Sequence, residues 1–263
     1  MHPRVSVSAI STYSWPLDQD IAFWAETGIT NVGVSLAKLE AAGIEKGTRG
    51  IVDAGLRVTN LLGLGFSLTA PDRWPAHQER MGAAVNAAAA MGAECFVLTT
   101  GRAAPLTWDE AAGALEAASA PVLDAARERG VPVALEHTNS LRVDVGFVHT
   151  LRDMVDLARR LGTGVLMEVN ACWSERDLAA TIASSIDVIR LVQVSDYVVG
   201  TLATPDRAVP GDGDIPLPRI VGQLLDAGYT GVFDIEVIGP RIEAEGYPAA
   251  IRRSIDYLEG LLA

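Results

Sequence analysis

Leu191 to Leu217 reads LVQVSDYVVGTLATPDRAVPGDGDIPL. The first residues are apolar and β-branched, as in a buried strand, but the run ends in Gln193, Ser195, Asp196 and Tyr197 before opening into a long Gly/Pro loop that carries Arg207. Buried strands do not carry polar groups without a partner for them. A strand that turns polar at its C-terminal end and feeds a long loop is the way an α/β enzyme builds a site.

Working outward, the same pattern recurs eight times. Strands are expected at Val5 to Ser11, Asn31 to Ser35, Val58 to Leu64, Cys95 to Thr100, Val131 to Thr138, Gly164 to Ala171, Leu191 to Tyr197 and Gly231 to Ile238. Helical periodicity fills the intervals: Asp18 to Thr27, Leu36 to Ala54, Pro75 to Met91, Trp108 to Arg129, Val148 to Leu161, Glu175 to Asp187, Leu217 to Ala227 and Tyr247 to Leu262. Five helices run into glycine just before the next strand, in AETGIT, DAGLRV, RERGVP, RLGTG and DAGYTG, the left-handed helix stop. Regular βα alternation with nearly continuous apolar strands implies a parallel sheet covered by helices. Eight repeats in 263 residues favour a single-domain (β/α)₈ barrel spanning residues 1 to 263. A dinucleotide fold would need a glycine-rich turn after the first strand, where Ser11, Thr12, Tyr13, Ser14 and Trp15 stand instead.

Composition narrows the partners. With 49% hydrophobic and 21% charged residues the chain can build a large core, and its net charge of −12 without a basic cluster argues against nucleic acid and anionic membranes. No apolar run is long enough to cross a bilayer. The opening MHPRVSVSAIS lacks the charged-then-apolar pattern of a secretory signal, so a cytoplasmic protein with reduced thiols at Cys95 and Cys172 is expected. The partner expected is a small molecule, with a homodimer or homotetramer left open.

Four consecutive strands end in residues that interrupt an apolar run: Glu136 in VALEHTN, Glu168 in VLMEVNACW, Gln193 in LVQVSD and Glu236 in FDIEVIG. Three carboxylates converging on one barrel mouth repel one another, so a cation is needed or their pKa values must rise. Oxygen donors of this kind suit Mn²⁺ or Mg²⁺, and these four are the expected metal ligands. Glu136 and Glu236 are the expected base and acid for abstracting a proton next to a carbonyl through an enediolate. His137 follows Glu136 directly, so alternation turns it away from the barrel interior; it is kept with Asn170, Trp173, Tyr13, Trp15, Phe66 and Arg207 among the substrate-contact candidates. The aromatic residues outnumber what a small polyol needs and allow a cyclic or aryl-bearing substrate.

The LE of VALEHTN, the strand ending VQVSD, the loop DRAVPGDGDI and the closing FDIEVIG resemble the xylose-isomerase-like barrel superfamily of sugar isomerases and epimerases. The resemblance covers nearly the whole chain. It implies a divalent metal held by Glu136, by Glu168 in place of an aspartate, by Gln193 in place of His or Gln, and by Glu236, with Arg207 approaching the last glutamate and the substrate. Isomerisation or epimerisation of a keto-sugar or cyclic polyol is the implied reaction, with β-elimination as the alternative ending. The sixth-strand stretch EVNA departs from the epimerase pattern, with Ala171 where a histidine is usual. A metal-free binding protein on the same barrel is the reading from another class. The endonuclease branch of the superfamily needs a histidine-rich zinc site and a basic face, which four histidines and a charge of −12 do not supply. A Schiff-base aldolase needs a lysine at a strand end, and neither Lys38 nor Lys46 is placed there.

Overall fold

A computed structural model of residues 1–263 shows eight parallel strands closed into a barrel in sequence order. They are β1 (Val5–Ser8), β2 (Asn31–Ser35), β3 (Arg57–Leu62), β4 (Phe96–Thr99), β5 (Val133–Glu136), β6 (Gly164–Glu168), β7 (Ile189–Val194) and β8 (Val232–Ile235). β8 pairs with β1 through Val5 opposite Phe233 and Val7 opposite Ile235, which closes the ring. The five glycines expected to stop helices, Gly28, Gly55, Gly130, Gly162 and Gly228, all have φ between 66° and 86°.

Side-chain alternation divides each strand between two cores. Phe96, Leu98, Val133, Leu135, Val165, Met167, Val192, Val194, Phe233 and Ile235 face the helices in a cluster of 65 buried residues. Cys95, Val97, Ala134, Leu166, Leu191 and Val232 form a separate cluster of six that plugs the barrel axis. One alternation step further along, the same strands present Thr99, Glu136, Glu168, Gln193 and Asp234. The apolar plug is thus the floor on which polar residues stand.

The differences from expectation lie at strand ends. The first strand stops at Ser8, whose hydroxyl caps a 3₁₀ turn over Ala9–Thr12. The sixth stops at Glu168, because Val169–Cys172 forms a short helix that the Glu168 side chain caps through the Asn170 N–H at 3.0 Å. The expected helix from Leu36 to Ala54 is two, Leu36–Ala42 and Ile44–Asp53, broken at Gly43 with φ 86°. A further helix, Pro240–Glu245, follows β8. Cys95 and Cys172 are buried free thiols. No helix is long and apolar enough to cross a membrane.

Candidate active site

Glu136, Glu168, Arg207 and Glu236 line one pocket of about 320 Å³ at the C-terminal mouth, together with Asn170, Tyr13, Arg142 and Tyr197. Gln193 lies beneath its floor, fully buried. Register explains the convergence: Glu168 sits opposite Gln193 on the β6–β7 ladder, Gln193 opposite Asp234 on β7–β8, and Glu236 follows β8 one alternation step above Asp234.

Arg207 enters from the loop after β7. Its Nη1 lies 2.7 Å from Glu168 Oε2 and 3.1 Å from Glu236 Oε1, and donates to the Glu236 carbonyl at 3.0 Å. The other Glu236 carboxylate oxygen accepts the Gln193 amide N–H at 2.6 Å. Glu136 has no hydrogen-bond or ion-pair partner, and burial, followed by the charges of Glu236 and Glu168, pushes its carboxyl well above the usual range. Glu168 is pushed up to about 7 by burial, against the pull of Arg207. Burial alone would weaken the Arg207 charge, but the charges of Glu168 and Glu236 outweigh it and raise its pKa.

The loop that delivers Arg207 is fixed at both ends by Asp196. Its Oδ1 accepts the N–H groups of Tyr197 at 2.8 Å and Ile215 at 3.0 Å, and its Oδ2 accepts that of Gly211 at 2.9 Å. Asp196 and Ala208 exchange backbone hydrogen bonds at 2.9 Å, and Arg207 N–H donates to Ile238. A side chain at Gly213 would put its Cβ 2.4 Å from Asp196 Oδ1, so the clamp requires glycine there.

Below the mouth lies a polar layer that sequence reading missed. Asp234 is fully buried and accepts from Asn60 Nδ2 at 3.3 Å; Ser6 and Thr59 hydroxyls bond at 2.8 Å beside it. Burial pushes Asp234 up to about 7, opposed by hydrogen bonds from Ser6, Gln193 and Asn60. The signal was present in FDIEVIG, where Asp234 and Glu236 are two apart and therefore on one face of the strand.

Several expected contacts are corrected. His137 is fully buried outside the barrel wall, and its Nε2 accepts the Glu168 N–H at 3.2 Å, so it does not reach a substrate. Burial lowers its pKa to about 3, which keeps it neutral. Phe66 is buried against His77, with ring centroids 4.6 Å apart. Trp173 is half-buried against the helix-side core and lines neither mouth cavity. Trp15 lines a second, larger cavity of about 890 Å³ with Tyr13, Leu17, Ile21, Lys38 and Lys46. That cavity shares Ile10, Tyr13 and Leu62 to Leu64 with the glutamate pocket. Lys38 is not free within it, since its Nζ is bound to Asp20 at 2.6 Å and to Thr12.

The expected ring of four metal ligands is not formed. No three His, Cys, Asp or Glu side chains gather around a common point. Glu168 and Glu236 are bridged by the Arg207 ion pairs, the Gln193 N–H₂ is turned to Glu236, and Gln193 Oε1 and Glu168 Oε2 accept no hydrogen bond. As arranged, these side chains do not fit a divalent metal.

Closed barrel, polar C-terminal mouth and acidic pocket together define an enzyme-type (β/α)₈ protein. Within that class, the family described as xylose isomerase-like TIM barrel matches residues 21–261, and the chain belongs to it. It is similar to the inosose isomerase of Halalkalibacterium halodurans, 27% identical over 135 residues, which is 50% of this chain and 48% of the isomerase; the match thus spans about half of that relative. A crystal structure of a protein from Sinorhizobium meliloti 1021 is 26% identical with a TM-score of 0.86, covering 98% of each chain. The IolI protein with a bound zinc atom gives a TM-score of 0.85 over 98% of this chain and 97% of its own, at 14% identity, a likeness of fold.

Proposed function

We propose that this protein is an isomerase or epimerase of a keto-sugar or cyclic polyol, working by proton transfer next to a carbonyl between Glu236 and Glu136. The observation that carries this reading is the unequal environment of two carboxyl groups in one pocket. Glu236 is surrounded by donors from Gln193 and Arg207, which suit a carboxylate. Glu136 is buried and unpartnered, and burial pushes its carboxyl up, toward the protonated form. Environments that drive two carboxyls apart assign a base and an acid.

Glu236 takes the proton from the carbon beside the carbonyl, and Glu136 holds the proton that is returned to the substrate. As the proton leaves, negative charge builds on the carbonyl oxygen, and Arg207, held beside Glu236, is a pocket cation able to meet it. The apolar plug closes the floor and excludes water from below. Half-length similarity to an inosose isomerase supports a cyclic keto-polyol as substrate. The larger cavity beside the pocket supports a substrate with an additional apolar or aryl part.

Deuterium wash-in tests this directly. Inososes and keto-sugars incubated with the protein in D₂O should lose the proton signal next to the carbonyl, and Glu236→Gln should abolish the exchange. Absence of exchange across that panel sinks the reading.

A further inference from the structure

We propose that Arg207 is the resident cation of this site, its guanidinium holding between Glu168 and Glu236 the place that a divalent metal would otherwise take. The inference deepens the proton-transfer reading by specifying that the site works without a metal ion.

The first support is geometric. One nitrogen, Arg207 Nη1, is within 3.1 Å of carboxylate oxygens from two strands and also donates to the Glu236 carbonyl. A metal joining Glu168 to Glu236 would have to evict that nitrogen. Arg207 is only 16% exposed, and eviction would leave a buried guanidinium without its partners.

The second support is the valence of the remaining oxygens. Glu168 Oε1 is committed to the Asn170 N–H and Oε2 to Arg207. One Glu236 oxygen accepts from Gln193 and the other faces Arg207, each keeping a second lone pair for a proton. Gln193 Oε1 accepts no hydrogen bond and Glu168 Oε2 has the Arg207 ion pair as its partner, so a metal entering here would meet a cation already in place. The residue identities agree with this reading. Glutamate at 168 caps its helix through Oε1 while Oε2 faces the arginine, and glutamine at 193 turns its amide N–H₂ to Glu236.

The third support is that Arg207 is built into position. The Asp196 clamp fixes the loop, Arg207 N–H is bonded to Ile238, and a Cβ at Gly239 would lie 2.7 Å from Asp206 Cα, so the backbone beside the arginine is packed against the β8 exit. A cation delivered by so constrained a loop is part of the architecture.

Equilibrium dialysis of the purified chain against Mn²⁺ at about 0.1 mM, with metal analysis and thermal melts with and without EDTA, decides the matter. The expected result is about a tenth of an equivalent or less and a melting temperature that neither Mn²⁺ nor EDTA moves. Arg207→Met should melt lower and regain part of the loss with Mn²⁺, which takes up the vacated place. One tightly held equivalent in the unaltered protein, with a rise of several degrees at about 100 times Kd, overturns the proposal. That result would leave the Glu136 and Glu236 roles standing, whereas failure of deuterium exchange removes those roles and leaves metal content untouched.

Discussion

Gln193 on β7 donates its amide N–H to Glu236 beyond β8 at 2.6 Å, and this one contact joins the polar floor of the barrel to its reactive rim. Asp234 shares the same amide from below. The amide is therefore oriented by two carboxyls, and it aims the upper one.

Replacing the amide should misaim the base while sparing the fold. Gln193→Met is expected to lower the exchange rate by about 10²-fold, the cost of a small misplacement of a reacting group. KM should change little, because Gln193 is fully buried below the pocket. An equal loss in both parameters would assign Gln193 to substrate binding instead.

Rate against pH reports the acid. Burial pushes the Glu136 carboxyl above its ordinary range, so activity should extend beyond the pH at which a free carboxyl ionises and fall as pH rises through the raised value. Glu136→Gln should lose about 10² to 10⁴-fold and with it the alkaline limb. An alkaline limb that survives in the variant would place the acid elsewhere.

Stability should fall with rising pH between about 4 and about 7, because Asp234 binds a proton in the folded state that it has lost in the unfolded chain across that window. The same sign holds for Glu168, which is pushed up to about 7. His137 acts oppositely: with its folded pKa at about 3, the unfolded chain binds the extra proton, and stability rises with pH up to the ordinary histidine value. Asp234→Asn should remove the Asp234 part of the fall, roughly 4 kcal/mol at its upper bound. Urea titrations at pH 4.5 and 7.5 check the sign, which an unchanged slope would refute.

Asp196→Ala should release three backbone N–H groups at once and free the Arg207 loop. Each bond to a charged group is worth about 1.5 to 3 kcal/mol. Limited proteolysis within residues 198–215 should accelerate at least tenfold, well ahead of cleavage elsewhere. Uniform acceleration across the chain would indicate global destabilisation.

The barrel was legible because βα alternation is a local signal that repeats eight times, and five of its helices end on glycine. Glu136, Glu168, Gln193 and Glu236 were legible because polar side chains interrupted apolar runs. Asp234 carried the same signal and was passed over, since a second polar residue in one strand reads as part of the first interruption. His137 and Phe66 could not be placed because proximity to a strand end does not say which side of the barrel wall a side chain takes. Arg207 sits in a loop without periodicity, so only the folded loop shows that it bridges Glu168 as well as Glu236.

The Asp196 clamp also decides which part of the rim is rigid. A loop tied at Tyr197, Gly211 and Ile215 by Asp196, and at Arg207 by Ile238, is held where it carries the arginine. Tyr13, after β1, and the Leu62 to Leu64 turn, after β3, stand between the glutamate pocket and the larger cavity. The rigid part of the rim is thus the part that carries Arg207, and the two cavities meet at a boundary built from other loops.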